Sequence, residues 1–347
     1  MTWPAACSEP LRRATMRDVA ALAEVGIKTV SRVVNREANV SASTATRVQL
    51  AINALRYEPN LLAGNLRRSG QRTQVLGLLI PNVSNPFFAA IHRAVEDIAL
   101  TRRVAVFASS SDDDPRRETE IVSAFLRRRA DGLILATVRP NHQNLQLEQE
   151  RGTPFVFIDR PPIDLAADSV LSDNHGGAAA ATAHLISHGH RSIACLLARS
   201  SLFTARERRR GFLDEINRCS IPLPAGYIVE DLTNDAEAYA ATSALLDRTD
   251  PPTALFCALN LITVGAVRAL RERNLHRQVA LVGFDDIVLA AELDPALTVI
   301  AQDASRIGQL AAERVFSILD GTSTRRQTSV VPTRLIPRGS GELPCIS

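Results

Sequence analysis

Two successive series of short, continuous apolar runs constrain the fold of this 347-residue chain more than any other feature. The first series is VLGLLI (75–80), VAVFAS (104–109), GLILAT (132–137) and PFVFID (154–159). The second is SIACLL (192–197), YIVED (227–231), TALFCA (253–258) and VALVGF (279–284). Runs that are aliphatic or β-branched without alternating with polar residues suit strands buried on both faces. Amphipathic stretches such as 87–100 and 115–129 lie between them. Strand and helix alternating twice over predict an α/β protein with two parallel sheets, each covered by helices on both faces. Ligands in such folds bind beyond the carboxyl ends of the strands, so the loops after the runs are the places to search.

Residues 15 to 57 read differently, as three short helices. Thr15-Met16-Arg17-Asp18 is a capping-box pattern. Val19, Ala20 and Ala23 then give one apolar face, and the helix stops near Val25-Gly26. A second helix from Ile27 to Asn35 buries Val30 and Val34. A third, starting at Ser41 or Ser43, carries Val48, Ile52 and Leu55 at helical spacing. Charge sets this segment apart. Up to residue 72 there are eleven basic side chains and five acids, whereas the rest of the chain holds 29 bases and 32 acids. A basic head on a mildly acidic body implies a polyanionic partner for the head.

Helix, tight turn near Gly26 and second helix together form a helix-turn-helix whose second helix exposes Ile27, Lys28, Ser31 and Arg32. Such a helix enters the major groove N-terminal end first. Lysine and arginine suit the O6 and N7 acceptors of guanine, Ser31 a phosphate or base, and Ile27 a thymine methyl. Lys28 is the only lysine in the chain.

Several other classes find no support in the sequence. No G-x-G-x-x-G follows a strand, no P-loop is present, and no nucleophile–base set is placed by motif, so an enzyme is not expected. The five cysteines are scattered and form no C-x-x-C pair, which argues against zinc or redox chemistry. His188-Gly189-His190 reads as a helix-to-strand turn rather than a metal site, and Asp112-Asp113-Asp114-Pro115 as a helix-start loop. No cofactor and no metal are expected. No apolar run reaches the roughly 18 residues of a membrane span. The stretch MTWPAACSEPLRR lacks the apolar segment of a secretory signal, so the expected location is cytoplasmic, on the nucleoid when bound to DNA.

MRDVAALAEVGIKTVSRVVN, followed by VSASTATRVQLAINALRYEPNLLAGNLRR, resembles the headpiece of the lactose-repressor (LacI/GalR) family of bacterial transcription regulators. The resemblance continues in order through GLLIPNVSNPFF, ADGLIL, FIDR, Asp173-Asn174, GHRSIACL, ARERRRGF, LVGFDD and PTRLIPRGS, over about residues 15 to 340. It implies a helix-turn-helix headpiece joined to a periplasmic-binding-protein-like core of two doubly wound lobes. The expected division is a disordered tail at 1–14, the headpiece at 15–59, a hinge helix and linker at 60–73 and the core at 74–340. The N-lobe would hold 74–171 and 303–325, the C-lobe 172–301 and 326–340, with crossings near 172, 302 and 326.

The resemblance also implies roles for particular residues. Ile27 and Lys28 occupy the two positions through which the family selects its operator. Thr29, Ser31, Arg32 and Asn35 match positions that dock on phosphates or common operator bases, and Thr15 joins this DNA-contacting set. Asn60 to Arg68 matches the hinge helix, with Leu66 as the minor-groove wedge and Arg67 beside it. Glu24 departs from the family's usual turn glycine, and Gly26 stands where a serine N-cap is usual. Effector would lie between the lobes, against Asn85, Phe87, Arg160, Arg208, Asn260, Asp285 and Gln302, a set suited to a sugar or sugar derivative. The expected molecule is a repressor working on a pseudo-palindromic operator as a homodimer or dimer of dimers. A sugar-binding protein or Rossmann-like enzyme without DNA binding is the alternative. The stretch after Thr333 lacks a leucine heptad, so nothing there predicts a tetramerisation helix.

Overall fold

A computed structural model describes residues 14–34, 37, 39–57, 72–139, 141–323 and 325–345. The chain divides into two compact units, residues 1–73 and 74–347.

In the first unit, α1 (Met16–Leu22) opens with the capping box that the sequence specifies. The Thr15 amide donates to Asp18 Oδ2 at 2.7 Å, and the Asp18 amide donates back to Thr15 Oγ1 at 3.3 Å. The turn to α2 (Ile27–Val34) passes through Glu24 at φ +53° and Gly26, whose carbonyl accepts from the Thr29 and Val30 amides. Ser41 caps α3 (Ala42–Ala54). Val19, Val30, Val48, Ala51 and Tyr57 interlock at the centre, with Val34, Ile52 and Leu55 half-buried around them. Such a core is small, so each fully buried valine contributes an appreciable share, about 1.5–3 kcal/mol by apolar transfer.

The second unit begins with β1 (Val75–Ile80), α4 (Pro86–Thr101), β2 (Ala105–Ser110), α5 (Pro115–Arg127), β3 (Gly132–Leu135), α6 (Gln146–Glu150), β4 (Phe155–Ile158) and β5 (Asp168–Ser172). There follow α7 (Asn174–Ser187), β6 (Ile193–Leu196), α8 (Phe203–Arg218), β7 (Ile228–Val229), α9 (Asp235–Leu246), β8 (Ala254–Cys257), α10 (Asn260–Glu272), β9 (Ala280–Phe284) and β10 (Thr298–Ala301). The chain closes with α11 (Ala304–Leu319), β11 (Thr328–Val331) and β12 (Arg334–Ile336).

These strands form two six-stranded sheets, ordered β11-β5-β4-β3-β1-β2 in the N-lobe and β12-β10-β9-β8-β6-β7 in the C-lobe. All pairs are parallel except β10 with β12. Strand alternation sends Leu76, Leu78 and Ile80 into one core with α4 and α11, and Leu79, with Leu133 and Leu135 of β3, into another with α5. Both faces of the sheet are thereby covered, which is why β1 reads as an unbroken apolar run.

The chain crosses between lobes after β5, after β10 and after β11. The last crossing corrects the expected position near 326. Thr328–Val331 pairs in parallel with Ser169–Ser172, so this segment belongs to the N-lobe sheet, and the switch falls at Pro332-Thr333. The N-lobe's second segment therefore extends past 325 to 331. Among the described residues, no helix is long and apolar enough to cross a membrane.

Candidate DNA-contacting face and effector cleft

On α2, burial of Val30 against α1 and α3 fixes the helix's rotation. Ile27, Lys28 and Arg32 are left exposed, and Thr29 and Ser31 half-buried. Ile27, Lys28, Ser31 and Arg32, at positions i, i+1, i+4 and i+5, share one face. Ile27 is 43% exposed with nothing apolar required to cover it, as suits a methyl-reading side chain. Thr15 is exposed, but its hydroxyl is engaged in the capping box with Asp18. Asn35, Asn60, Leu66 and Arg67 lie outside the described residues.

In the core, the two lobes end corresponding strands in the same way. β4 runs into Asp159 at φ +65° and β9 into Asp285 at φ +73°. This left-handed conformation turns the backbone sharply and is tolerated better by aspartate than by most residues. Both carboxylates are about 95% buried. Burial pushes both upward from the usual aspartate range, opposed by the neighbouring guanidiniums, chiefly Arg160 for Asp159 and Arg208 for Asp285.

Arg160 lies against Asp159 (Nε to Oδ2, 3.3 Å), donates to Asp113 Oδ1 at 2.7 Å and to the Thr137 carbonyl at 3.1 Å. Burial disfavours its charge, but the carboxylates outweigh that and hold the guanidinium above its usual range. Arg208 comes from α8 and is 4% exposed. Its Nε donates to Asn174 Oδ1 at 2.7 Å, its Nη1 to the Ala258 carbonyl at 2.8 Å, and its plane lies 3.7 Å over the Phe284 ring. Burial lowers its affinity for its proton against the pull of Asp285 and Asp159. Gln302, on the second crossing, donates to Asp285 Oδ1 at 2.6 Å, and its own Oε1 is buried without a partner.

Asn85 and Asn260 meet across the lobes. Asn85 caps α4 by accepting from the Phe87 amide at 3.0 Å, and the same oxygen accepts from Asn260 Nδ2 at 2.9 Å. Of the seven residues expected in the cleft, Asn85 and Asn260 are thus in contact, as are Asp285 and Gln302, with Arg208 electrostatically coupled to Asp285. Arg160 is grouped with Asp159. Phe87 stands apart, edge-on to Phe88 at 5.0 Å and leaning on the N-lobe core.

Sequence reasoning missed Asp159, Asn174 and Asp113 as site residues. The expected helix-start role belongs to Asp114, which caps α5, while Asp113 turns to Arg160. The signal for Asp159 was available in the match between Phe-Ile-Asp and Gly-Phe-Asp at the ends of corresponding strands. Among the described residues, no group of three His, Cys, Asp or Glu side chains could hold a metal ion.

Residues 15–60 match the model for bacterial regulatory proteins of the lacI family, and residues 182–341 that for a periplasmic binding protein-like domain. Together these cover more than half of the chain. The chain belongs to the LacI family. This LacI-family chain is 31% identical to the ribose operon repressor of Escherichia coli (strain K12), over 94% of this chain and 99% of the relative. It is 30% identical to the transcriptional regulator DegA of Bacillus subtilis (strain 168), over 94% and 98%. The Lac repressor dimer bound to operator and the anti-inducer ONPF superposes with a TM-score of 0.83 at 26% identity, covering 95% and 99% of the two chains. The cellobiose complex of the regulator CelR gives 0.71 at 28% identity, covering 94% and 100%. This LacI-family member is therefore a DNA-binding transcriptional regulator, and its matched relatives are regulators rather than enzymes.

Proposed function

We propose that this regulator is a cytoplasmic repressor whose operator affinity is set by a sugar or sugar derivative held between the core lobes. The carrying observation is the cleft's array of directional polar groups: Arg208 clamped by Asn174 and Ala258 and backed by Phe284, opposite Asp159 and Arg160, with Asp285 and Gln302 at the crossing. Fixed donors and acceptors of both charges can bracket several hydroxyls at once, and an aromatic ring supplies an apolar backing. The cellobiose complex of CelR and the ribose operon repressor support a carbohydrate. In the headpiece, Ile27 and Lys28 select operator bases. Thr29, Ser31 and Arg32 secure the helix on the duplex, assisted by Thr15, Asn35, Asn60, Leu66 and Arg67. The repressor acts as a homodimer or dimer of dimers on a pseudo-palindromic site, as the operator complex of the Lac repressor dimer supports. Effector changes the angle between lobes and so the operator affinity by linkage.

A thermal-shift screen of sugars and sugar acids, followed by gel shift on promoter fragments with and without each hit, tests this. A sugar that raises the core's melting temperature and alters DNA retention is the expected result. A chain that stays active on DNA while no carbohydrate alters either quantity would overturn the effector assignment.

A further inference from the structure

The strands of the N-lobe sheet all run the same way, so their N-terminal ends, and the turns that feed them, lie along one rim. Residues 72–74 lead into β1 at this rim. Gln74 is fastened there, its amide donating to Asp131 Oδ2 at 2.8 Å and its carbonyl accepting from Ala105. The turns carry arginine repeatedly: Arg102 and Arg103 before β2, Arg127 and Arg128 before β3, Arg151 before β4, and Arg325 and Arg326 before β11. Because β2 and β11 are the outermost strands, the arginines extend over the full width of six strands, about 24 Å.

The carboxylates on this rim are already engaged: Asp320 with Arg102, Glu148 with Arg151, Asp131 with the Gln74 amide, and Glu150 with Gln146. Arg103, Arg127, Arg128, Arg325 and Arg326 are exposed, and among the described residues no carboxylate pairs with any of them. The C-lobe provides a comparison within the same molecule. At its equivalent rim Arg218 pairs with Glu215 at 2.6 Å, Arg248 with Asp250 at 3.2 Å, Arg273 with Asp247 at 2.9 Å, and Arg277 with Asp294. On the C-lobe rim four arginines are thus neutralised, leaving Arg191 and Arg271 exposed without a carboxylate among the described residues, whereas on the N-lobe rim five exposed arginines are left so. Codon or compositional preference for arginine acts on both alike and does not produce the difference.

We propose that the N-lobe rim is a second DNA-contacting surface, binding duplex phosphates without regard to sequence. Three observations select DNA over an acidic protein. The core as a whole carries more acids than bases, so this concentration of cations is local. The rim is where the chain joins the core from the DNA-binding unit, so any duplex the regulator holds is tethered to it through residues 58–73. The cations recur from turn to turn along the ends of the strands, from β11 to β2, which fits a row of phosphates. Guanidiniums are suited to bidentate phosphate binding.

The test uses the full chain and a random-sequence duplex of about 40 base pairs, measuring affinity against salt. The variant Arg127→Ala/Arg128→Ala/Arg325→Ala/Arg326→Ala should flatten the plot of log affinity against log salt by about 0.9 for each phosphate the rim no longer neutralises, toward about 3.6 if all four arginines engage. The Arg127/Arg128 and Arg325/Arg326 pairs, substituted separately, keep the result independent of any one variant's folding. Arg191→Ala/Arg271→Ala on the C-lobe rim should leave the slope unchanged. A slope change below about 0.9, the value of a single phosphate, in the N-lobe variants overturns the proposal. The inference rests on the regulator binding DNA at all. Salt-dependent binding by the unsubstituted chain reports on that, and only the difference between chains reports on the rim.

Discussion

Glu24 holds φ +53° in the turn of the helix-turn-helix, a conformation in which a side chain's Cβ crowds the backbone and glycine is at ease. The family resemblance expects a glycine here, and the structure keeps the turn's shape with a residue that tolerates it poorly. Glu24→Gly should therefore stabilise the headpiece by about 0.5–1 kcal/mol, the relief of strain exceeding the added freedom of the unfolded chain. Slowed amide hydrogen exchange at Val30 and Val48 would register it. Four residues further on, Lys28 is exposed on the same face as Ile27 and Arg32. If it reads a base edge, Lys28→Ala should cost about 1–3 kcal/mol at the base it reads and change which operator variants are preferred. An equal loss across all operator variants, measured by gel shift on a randomised operator set, would make it a phosphate contact instead.

Whole elements were legible in the sequence where burial on both faces leaves an unbroken apolar signature. β1, β3, β4, β6, β8 and β9 all lie inside runs read from sequence alone. β5, β10, β11 and β12 are three to five residues long and carry polar side chains such as Asp168, Ser169, Thr298 and Thr328, so they give no such signature. Their invisibility is what displaced the third crossing. The cleft was half legible for a related reason. Arg208 finds Asn174 thirty-four positions away and Arg160 finds Asp113 forty-seven away, pairings that the strand order decides and local pattern cannot.

The Asn85–Asn260 hydrogen bond joins the N-terminal ends of α4 and α10 and therefore the two lobes themselves. Losing a hydrogen bond worth about 1 kcal/mol should shift the lobe equilibrium toward opening about five-fold in Asn260→Ala, visible as a larger small-angle scattering radius without effector. Asp159 and Asp285 give the cleft a pH signature. Burial raises both in the folded state, so their contribution to stability is fully present below the ordinary aspartate range and is lost as pH rises through the raised values. Asp159→Asn/Asp285→Asn removes that loss. The melting temperature of this variant relative to the parent should become more favourable as pH rises above the ordinary aspartate range. A difference that is flat in pH would mean that the guanidiniums keep both carboxylates ionised throughout.

At the scale of the molecule, the headpiece core and the core clusters of the two lobes share no residues among the described ones, and the chain divides at 73/74. Units whose cores are separate unfold separately unless something couples them. Among the described residues the headpiece cluster buries seven apolar side chains, fewer than any cluster of the lobes, so it is the weaker unit. Full-length protein should accordingly melt in two steps in calorimetry, a small low-temperature transition followed by the large one of residues 74–347. Deleting residues 1–73 should abolish the first and leave the second within about 2 °C, while carbohydrate binding persists and operator-specific DNA binding disappears. Effector should raise the second transition alone. At about a hundred times its dissociation constant it adds about 2.7 kcal/mol to the unit that binds it, and none of that reaches the headpiece unless the two are coupled. A shift of the first transition on adding effector to the full chain without DNA would show direct coupling between the units. Its absence would mean that effector control of the operator does not act by stabilising the headpiece itself.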